Sequence, residues 1–125
     1  MKSTYHGYET LGRQFDSVKG KINENRACEF LTAKGYKILD RNFTCPIGEI
    51  DIIALDRDSI VFVEVKYRAT AYFGLPQEAV TPQKQQKIRA VASLYLKMKR
   101  KLNAPCRFDV VAILGDQITH IENAF

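Results

Sequence analysis

Residues 48–68 read GEIDIIALDRDSIVFVEVKYR. Two apolar runs, Glu49–Leu55 and Ile60–Tyr67, flank the polar segment Asp56-Arg57-Asp58-Ser59. Runs rich in Ile and Val on either side of such a segment predict a β-hairpin. Pairing Leu55 with Ile60 across the turn sets the register, with Asp51 opposite Glu64 and Glu49 opposite Lys66. Alternation places Glu49, Asp51, Ile53 and Leu55 on one face with Ile60, Phe62, Glu64 and Lys66. The other face, Ile50, Ile52, Ala54, Val61, Val63 and Val65, is wholly apolar. The first face is apolar near the turn as well, so the pair is expected to be buried on both sides.

Three carboxylates and one lysine therefore gather at one end of a greasy hairpin. Like charges directly opposite one another destabilise a strand pair, and a buried charge without a partner costs several kcal/mol. Asp51 and Glu64 need neutralising, and a hard divalent cation with oxygen ligands does this with only one or two carboxylates. Lys66 cannot balance three acids; it is placed to hold a phosphate oxygen or an attacking water. The competing reading is an edge-exposed hairpin carrying a solvated Glu-Lys ladder. Against it, VFVEVKYR shows no solvent-facing alternation before Glu64.

Upstream, residues 21–34 read as a helix with Ala27, Cys28 and Leu31 as its apolar stripe and Gly35 as its stop. Glu24 falls on that inward stripe, three, four and seven positions before Ala27, Cys28 and Leu31. It serves either the site or the helix dipole of the first turn. Tyr36–Asn42 reads as a short strand, and Thr44-Cys45-Pro46-Ile47-Gly48 as a turn. Downstream, Ala69–Val80 is a loop with Gly74 and Pro76. Thr81-Pro82 then opens a helix, Thr as N-cap and Pro in the first turn, running to about Lys101. Ile88, Val91, Ala92 and Tyr95 form its inward stripe, and Phe108–Leu114 and Ile118–Ile121 are strands around Gly115-Asp116. The order α-β-β-β-α-β-β predicts an α/β fold, a mixed central β-sheet flanked by α-helices. Residues 1–19 read as an N-terminal tail or helical extension, with Leu11, Phe15, Val18 and Ile22 at helical spacing but Gly12 and Gly20 interrupting. Residues 20–125 form one domain.

A chain of 125 residues has the length of one domain with a core of its own. No segment approaches the roughly 20 apolar residues of a membrane span, and the first residues carry no apolar run of a secretory signal. Cys28, Cys45 and Cys106 are odd in number and scattered, which suits reduced thiols in the cytoplasm better than a disulfide framework or a zinc site. His6 and His120 are isolated, with surface or structural roles expected for both. The net charge is +5, compatible with nucleic acid as a partner. From Gln83 to Phe108 there are eight basic residues and no acid. Lys84, Lys87, Lys97, Arg100 and Lys101 in this stretch are candidates for phosphate contacts, or a solvated helix face. Arg68, Tyr67 and Tyr72 follow the second hairpin strand and are candidates to line a substrate groove. Glu49 points the same way as Asp51 and is a candidate support for it. Gln85 and Lys84, one turn before Ile88, are candidates to reach the site.

Asp51 followed by Glu64-Val65-Lys66 resembles the PD-(D/E)xK nuclease signature. The hairpin together with FGLPQEAVTPQKQQKI, RFDVVAI, HIENAF and KGYKILDRNF resembles the bacterial YraN family over residues 20–125. That resemblance implies a restriction-endonuclease-like fold, similar to archaeal Holliday junction resolvases. It implies Glu24, Asp51, Glu64 and Lys66 as catalytic residues. It gives Mg²⁺ (or Mn²⁺) as cofactor, held by Asp51, Glu64 and the backbone of Val65, with Glu24 acting through a water or at a second cation site. Asn23 stands where that family often has Gly, and the N-terminal segment is longer than in many relatives, which bears on any homodimer surface. The expected function is a metal-dependent endonuclease acting on DNA, branched or structured DNA included. The alternatives are a nucleic-acid-binding protein of the same fold without turnover and an interaction domain using the acids for a structural metal.

Overall fold

Leu55 pairs with Ile60 and Asp56 with Ser59, so the hairpin forms in the register the sequence dictates. Its two-residue turn places Arg57 in the left-handed region, φ 55. The computed structural model describes residues 2–125, with side chains from Val18 onward. Helix α1 covers Lys2–Ala33. Strands β1 Lys37–Cys45, β2 Gly48–Asp56 and β3 Ser59–Arg68 follow. A 3₁₀ turn Pro76–Ala79, helix α2 Pro82–Met98, β4 Cys106–Leu114 and β5 Gln117–Ile121 complete the chain. The sheet runs β1-β2-β3-β4-β5. Only the β3–β4 pair, bridged by α2, is parallel; the other three are antiparallel. This is the expected mixed sheet flanked by helices. The segment read as tail or extension is part of α1, and the side chains of His6, Leu11 and Phe15 lie outside the described residues.

Two buried clusters sandwich the sheet. Ala27, Leu31 and Tyr36 cover Ile52, Ala54, Val61, Val63, Val111 and Ile113 on the α1 side. Ile88, Val91, Ala92, Tyr95 and Leu96 cover Ile50, Ile53, Phe62, Val110 and Ala112 on the α2 side. The hairpin is buried on both faces, as its apolar runs require. Helix α1 ends where Gly35 (φ 95) lets the Tyr36 amide reach the Leu31 carbonyl at 3.0 Å and its own amide reach Thr32 at 3.0 Å. Thr81 caps α2, its hydroxyl accepting from the Lys84 amide at 3.3 Å.

Three expectations need correction. Helix α2 stops at Met98 rather than near Lys101, because Arg100 adopts φ 56 and the Lys101 amide turns back to Leu96 at 2.8 Å. This is the glycine-type helix ending built on an arginine, so no glycine announces it. The first connecting turn is shorter than read: Thr44 and Cys45 belong to β1, and Cys45 pairs with Gly48. Ile50 packs on the α2 side with Ile53, not with Ile52 and Ala54. Strict alternation fails along β2 between Ile50 and Ile52, where β1 carries Asn42 at φ 53 between Arg41, paired with Ile52, and Phe43, paired with Ile50; the register itself shifts between Ile38 and Asp40.

Among the described residues no helix is long and apolar enough to cross a membrane. Cys28, Cys45 and Cys106 are free thiols. His120 has the structural role expected of it. Its Nε2 lies 2.7 Å from Oδ2 of Asp109, a carboxylate with no exposure. Lys34 Nζ is 2.8 Å from the other ring nitrogen, and an ammonium only donates, so Nε2 carries the proton given to Asp109. Arg107 and the Asn123 amide also donate to Asp109. Burial works to raise this carboxyl, but the bonds from His120, Arg107 and Asn123 outweigh it and hold it below the usual range. Asp109→Ala is expected to lower stability by about 3–5 kcal/mol, since Arg107 and His120 lose their buried acceptor. A urea melt checks it; a loss under about 1 kcal/mol would mean that water replaces the carboxylate without cost.

Candidate functional site: an acidic fork between two strands

The β2–β3 ladder runs from Asp56–Ser59 to Ile52–Val63 and ends there. Beyond it β2 stays with β1, and β3 stays with β4 through Arg68. Asp51 and Glu64 are thus not ladder partners, as the register had them; they are the first residues past the fork. Asp51 Oδ2 accepts a hydrogen bond from the Val65 amide at 2.8 Å, a side chain standing in for a lost ladder contact.

The Glu64 side chain is 13% exposed, and Lys66 Nζ lies 3.8 Å from its Oε2. The Glu64 carboxyl is pushed up to about 9. Burial is the largest cause, then a hydrogen bond shared with Asp51 and the Asp51 charge, with Glu49 adding a little and Lys66 pulling the other way. Burial and the neighbouring Asp51 thus oppose ionisation of Glu64. Glu49 is exposed at the rim, with the Thr44 hydroxyl 3.4 Å from its Oε2.

Asp51, Val65, Lys66 and Glu49 line an open cleft of about 710 Å³ whose opposite wall is α1, through Gly20, Lys21, Asn23 and Glu24. Glu24 is buried and faces the cleft, but its carboxylate is engaged. Oε1 accepts from Arg41 Nη2 at 3.1 Å and Nε at 3.3 Å, and from Asn42 Nδ2 at 2.8 Å. Asn23 is buried too, donating to the Lys19 carbonyl at 2.9 Å. Arg41 and Asn42 are the site residues that sequence reasoning missed. Both lie inside the stretch KGYKILDRNF, yet no periodicity marks them. The one available signal is the asparagine, a residue tolerant of left-handed backbone.

Glu24→Ala is expected to cost about 1–3 kcal/mol, because Arg41 and Asn42 lose their shared acceptor. Glu24→Gln keeps an acceptor oxygen and should recover most of it. Parallel urea melts decide; two neutral variants would show that Glu24 does not hold the ribbon.

Among the described residues no three His, Cys, Asp or Glu side chains come together as a metal-holding group. The donor chemistry at the fork nevertheless fits a hard cation. Asp51 and Glu64 present only oxygens, and the burial and like charge that raise Glu64 mark a place where positive charge is wanted.

The remaining candidates lie elsewhere. Gln85 donates to the Val80 carbonyl at 3.1 Å and, like Lys84, does not line the cleft. Lys87 is exposed on α2. Arg68 is half-buried just past the cleft residue Tyr67. Lys97, Arg100 and Lys101 line a separate cavity of about 490 Å³ with Leu102, Asn103 and Ala104. That cavity is at the other end of the sheet, where the Ile60 amide donates to the Pro105 carbonyl at 2.9 Å. From Ile60 to Glu64 is four strand steps, about 13 Å.

A family model described as "Uncharacterised protein family UPF0102" matches residues 23–113, which carry the fork and, of the α1 wall, Asn23 and Glu24. The chain belongs to the UPF0102 family. This is the YraN family that the motifs resemble. A UPF0102 protein of Thermodesulfovibrio yellowstonii is 51% identical over 106 residues, covering 85% of this chain and 94% of the relative. One of Lachnoclostridium phytofermentans is 48% identical over 109 residues, covering 86% and 92%. One of Geobacter sulfurreducens is 44% identical over 119 residues, covering 91% and 93%. The UPF0102 relatives thus span nearly the full domain.

Proposed function

We propose that this UPF0102 protein is a metal-dependent endonuclease of the restriction-endonuclease-like PD-(D/E)xK group, hydrolysing phosphodiester bonds in DNA. One observation carries the reading: Asp51 and Lys66 line an open cleft past a strand fork, and Glu64, which does not itself line the cleft, is hydrogen-bonded to Asp51 with Lys66 3.8 Å away. A purely structural acid pair would sit against a compensating arginine, as Asp109 does.

Asp51 and Glu64, with the backbone of Val65, would hold Mg²⁺ or Mn²⁺. When bound, the cation supplies a Lewis acid that polarises the phosphate and lowers the pKa of the attacking water. The chain does the rest. The Val65 amide fixes the Asp51 carboxylate by its 2.8 Å bond, so its free oxygen has one direction. Lys66 Nζ orients the attacking water or meets the negative charge developing on the phosphoryl oxygens. Glu24 holds Arg41 and Asn42, and with them the ribbon that carries Asp51 past the fork.

The second reading, nucleic-acid binding without turnover, draws on the engagement of Glu24 by Arg41 and Asn42, which leaves two acids at the fork. The test is incubation with labelled single-stranded, duplex, flap and four-way-junction DNA in Mg²⁺, Mn²⁺ and EDTA. Cleavage that needs the cation and vanishes in Asp51→Asn supports the first reading. Binding without cleavage in every cation supports the second.

A further inference from the structure

Tyr72 is 84% exposed and Phe73 83%, more than any other large apolar side chain among the described residues. Burying either ring would be favourable, yet neither belongs to the core. They stand side by side, ring centroids 4.8 Å apart and planes at 83°, so each keeps open surface toward solvent.

The turn that carries them is held in place. The Gly74 amide donates to the Ala71 carbonyl at 3.0 Å, and the Tyr72 amide lies 3.4 Å from the Thr70 hydroxyl. Gly74 has φ 111, a backbone that L side chains rarely adopt, so a substitution there is strained, and Glu78 Oε2 lies 2.7 Å from where a Cβ would stand. On one side Arg68 is tied to β4, its carbonyl accepting from the Gly115 amide at 2.9 Å. On the other, Pro76 is fully buried. Two aromatic rings are thus fixed in solvent on a short turn with anchored ends.

The turn leaves β3 after Arg68, next to Lys66 and the cleft residue Tyr67. Tyr72 stands five positions beyond Tyr67, with four residues between, a reach of at most about 18 Å. The charges leading into the turn are Lys66 and Arg68 and those opening α2 include Lys84, with Glu78 folded against Gly74. Cations for phosphates beside uncovered aromatic faces suit single-stranded nucleic acid, because every base has a π-face while a duplex hides its bases.

We propose that Tyr72 and Phe73 form a stacking platform for unpaired nucleobases beside the acidic cleft. The substrate class is then nucleic acid with unpaired bases next to the scissile phosphate: a gap, a tail or a loop. The proposal rests on the nuclease reading of the cleft for its cutting step, not for its binding step.

The test uses the full chain and its Tyr72→Ala/Phe73→Ala variant. The probes are a fluorescein-labelled oligo-dT, a blunt duplex of equal length, and a duplex with a single-stranded tail carrying 2-aminopurine. The platform requires the variant to lose about tenfold to a hundredfold in oligo-dT affinity while duplex affinity stays within about twofold. It also requires 2-aminopurine quenching by the parent that the variant lacks. Both rings are exposed, so the thermal melt should not move.

Unchanged oligo-dT binding in the variant overturns the platform. So does an equal loss on oligo-dT and duplex, or a parent that binds neither tail nor oligo-dT. Self-association of the parent that the variant loses, with nucleic-acid binding unaffected, assigns the rings to a protein contact and also overturns it. Failure of the nuclease reading looks different: quenching by the parent is intact, but no probe is cut in Mg²⁺ or Mn²⁺.

Discussion

Asp51→Asn is expected to abolish cleavage and yet leave the protein, in EDTA, at least as stable as its parent. The asparagine still offers an oxygen to the Val65 amide, while one of two mutually repelling acids is gone. The pH dependence makes the prediction sharp. The Glu64 carboxyl is raised from about 4.5 to about 9, first by burial and then by Asp51. The folded chain therefore binds a proton that the unfolded chain releases. Its stabilisation is full below pH about 4.5 and is lost as pH rises toward about 9. The parent in EDTA should lose on the order of a few kcal/mol across that window. Asp51→Asn should lose less, and Glu64→Gln should show no such loss. Added Mg²⁺ should stabilise the parent more as pH rises, because the cation competes with that proton. Urea melts from about pH 5 to about pH 9, with and without Mg²⁺, read all of this. A parent profile flat in EDTA would show that Glu64 ionises as easily in the folded chain as in the unfolded one. A mutant melting far below the parent would make Asp51 a structural ion-pair partner.

The architecture was legible because each element carries its own local signal. Ile and Val runs around Asp56–Ser59 gave the hairpin and its Leu55–Ile60 register. Thr81-Pro82 gave the start of α2, and Gly35 the end of α1. What stayed hidden was left-handed backbone on residues other than glycine. Arg100 ends α2 early at φ 56, and Asn42 stands in β1 at φ 53. Nothing in hydropathy marks either; the Asn42 side chain bonds Glu24, which lies on another element.

The site was legible as a set of residues, less so as a geometry. A hairpin register extrapolated past Ile52 assumes that the ladder continues, and two facing acids are what a ladder cannot carry. The strands part there, and the Val65 amide takes Asp51 as its partner. The inward Glu24 was visible in its spacing from Ala27 and Leu31. Its partners were not, because Arg41 and Asn42 come from another element. The buried Asp109 was unreadable for the same reason: its acceptor role depends on Arg107, His120 and Asn123 converging from β4, β5 and the C-terminal segment.

Lys66→Ala and charge reversal at Lys97, Arg100 and Lys101 should separate catalysis from docking. Lys66 stands 3.8 Å from Glu64 at the fork, while the other three line their own cavity at the far end of the sheet. A cation beside the reacting phosphate acts where charge develops, so losing it should cost about 10²–10³-fold in cleavage. The dissociation constant should change by no more than about threefold, since the interaction strengthens in the transition state. The triple reversal should do the opposite. Phosphate contacts act through counterion release, so binding should weaken similarly on every sequence, and the slope of log K against log salt should flatten by about one per lost contact. Cleavage per bound substrate should then stay near the parent's, because the fork is about 13 Å or more away. Fluorescence anisotropy at two salt concentrations, paired with single-turnover cleavage, measures both variants. If Lys66→Ala weakens binding as much as the triple reversal and cleavage falls only with occupancy, Lys66 is a docking residue. If the triple reversal leaves affinity and salt slope untouched, the far cavity has no part in binding, and DNA is held by the cleft, Arg68 and the turn that carries Tyr72 and Phe73.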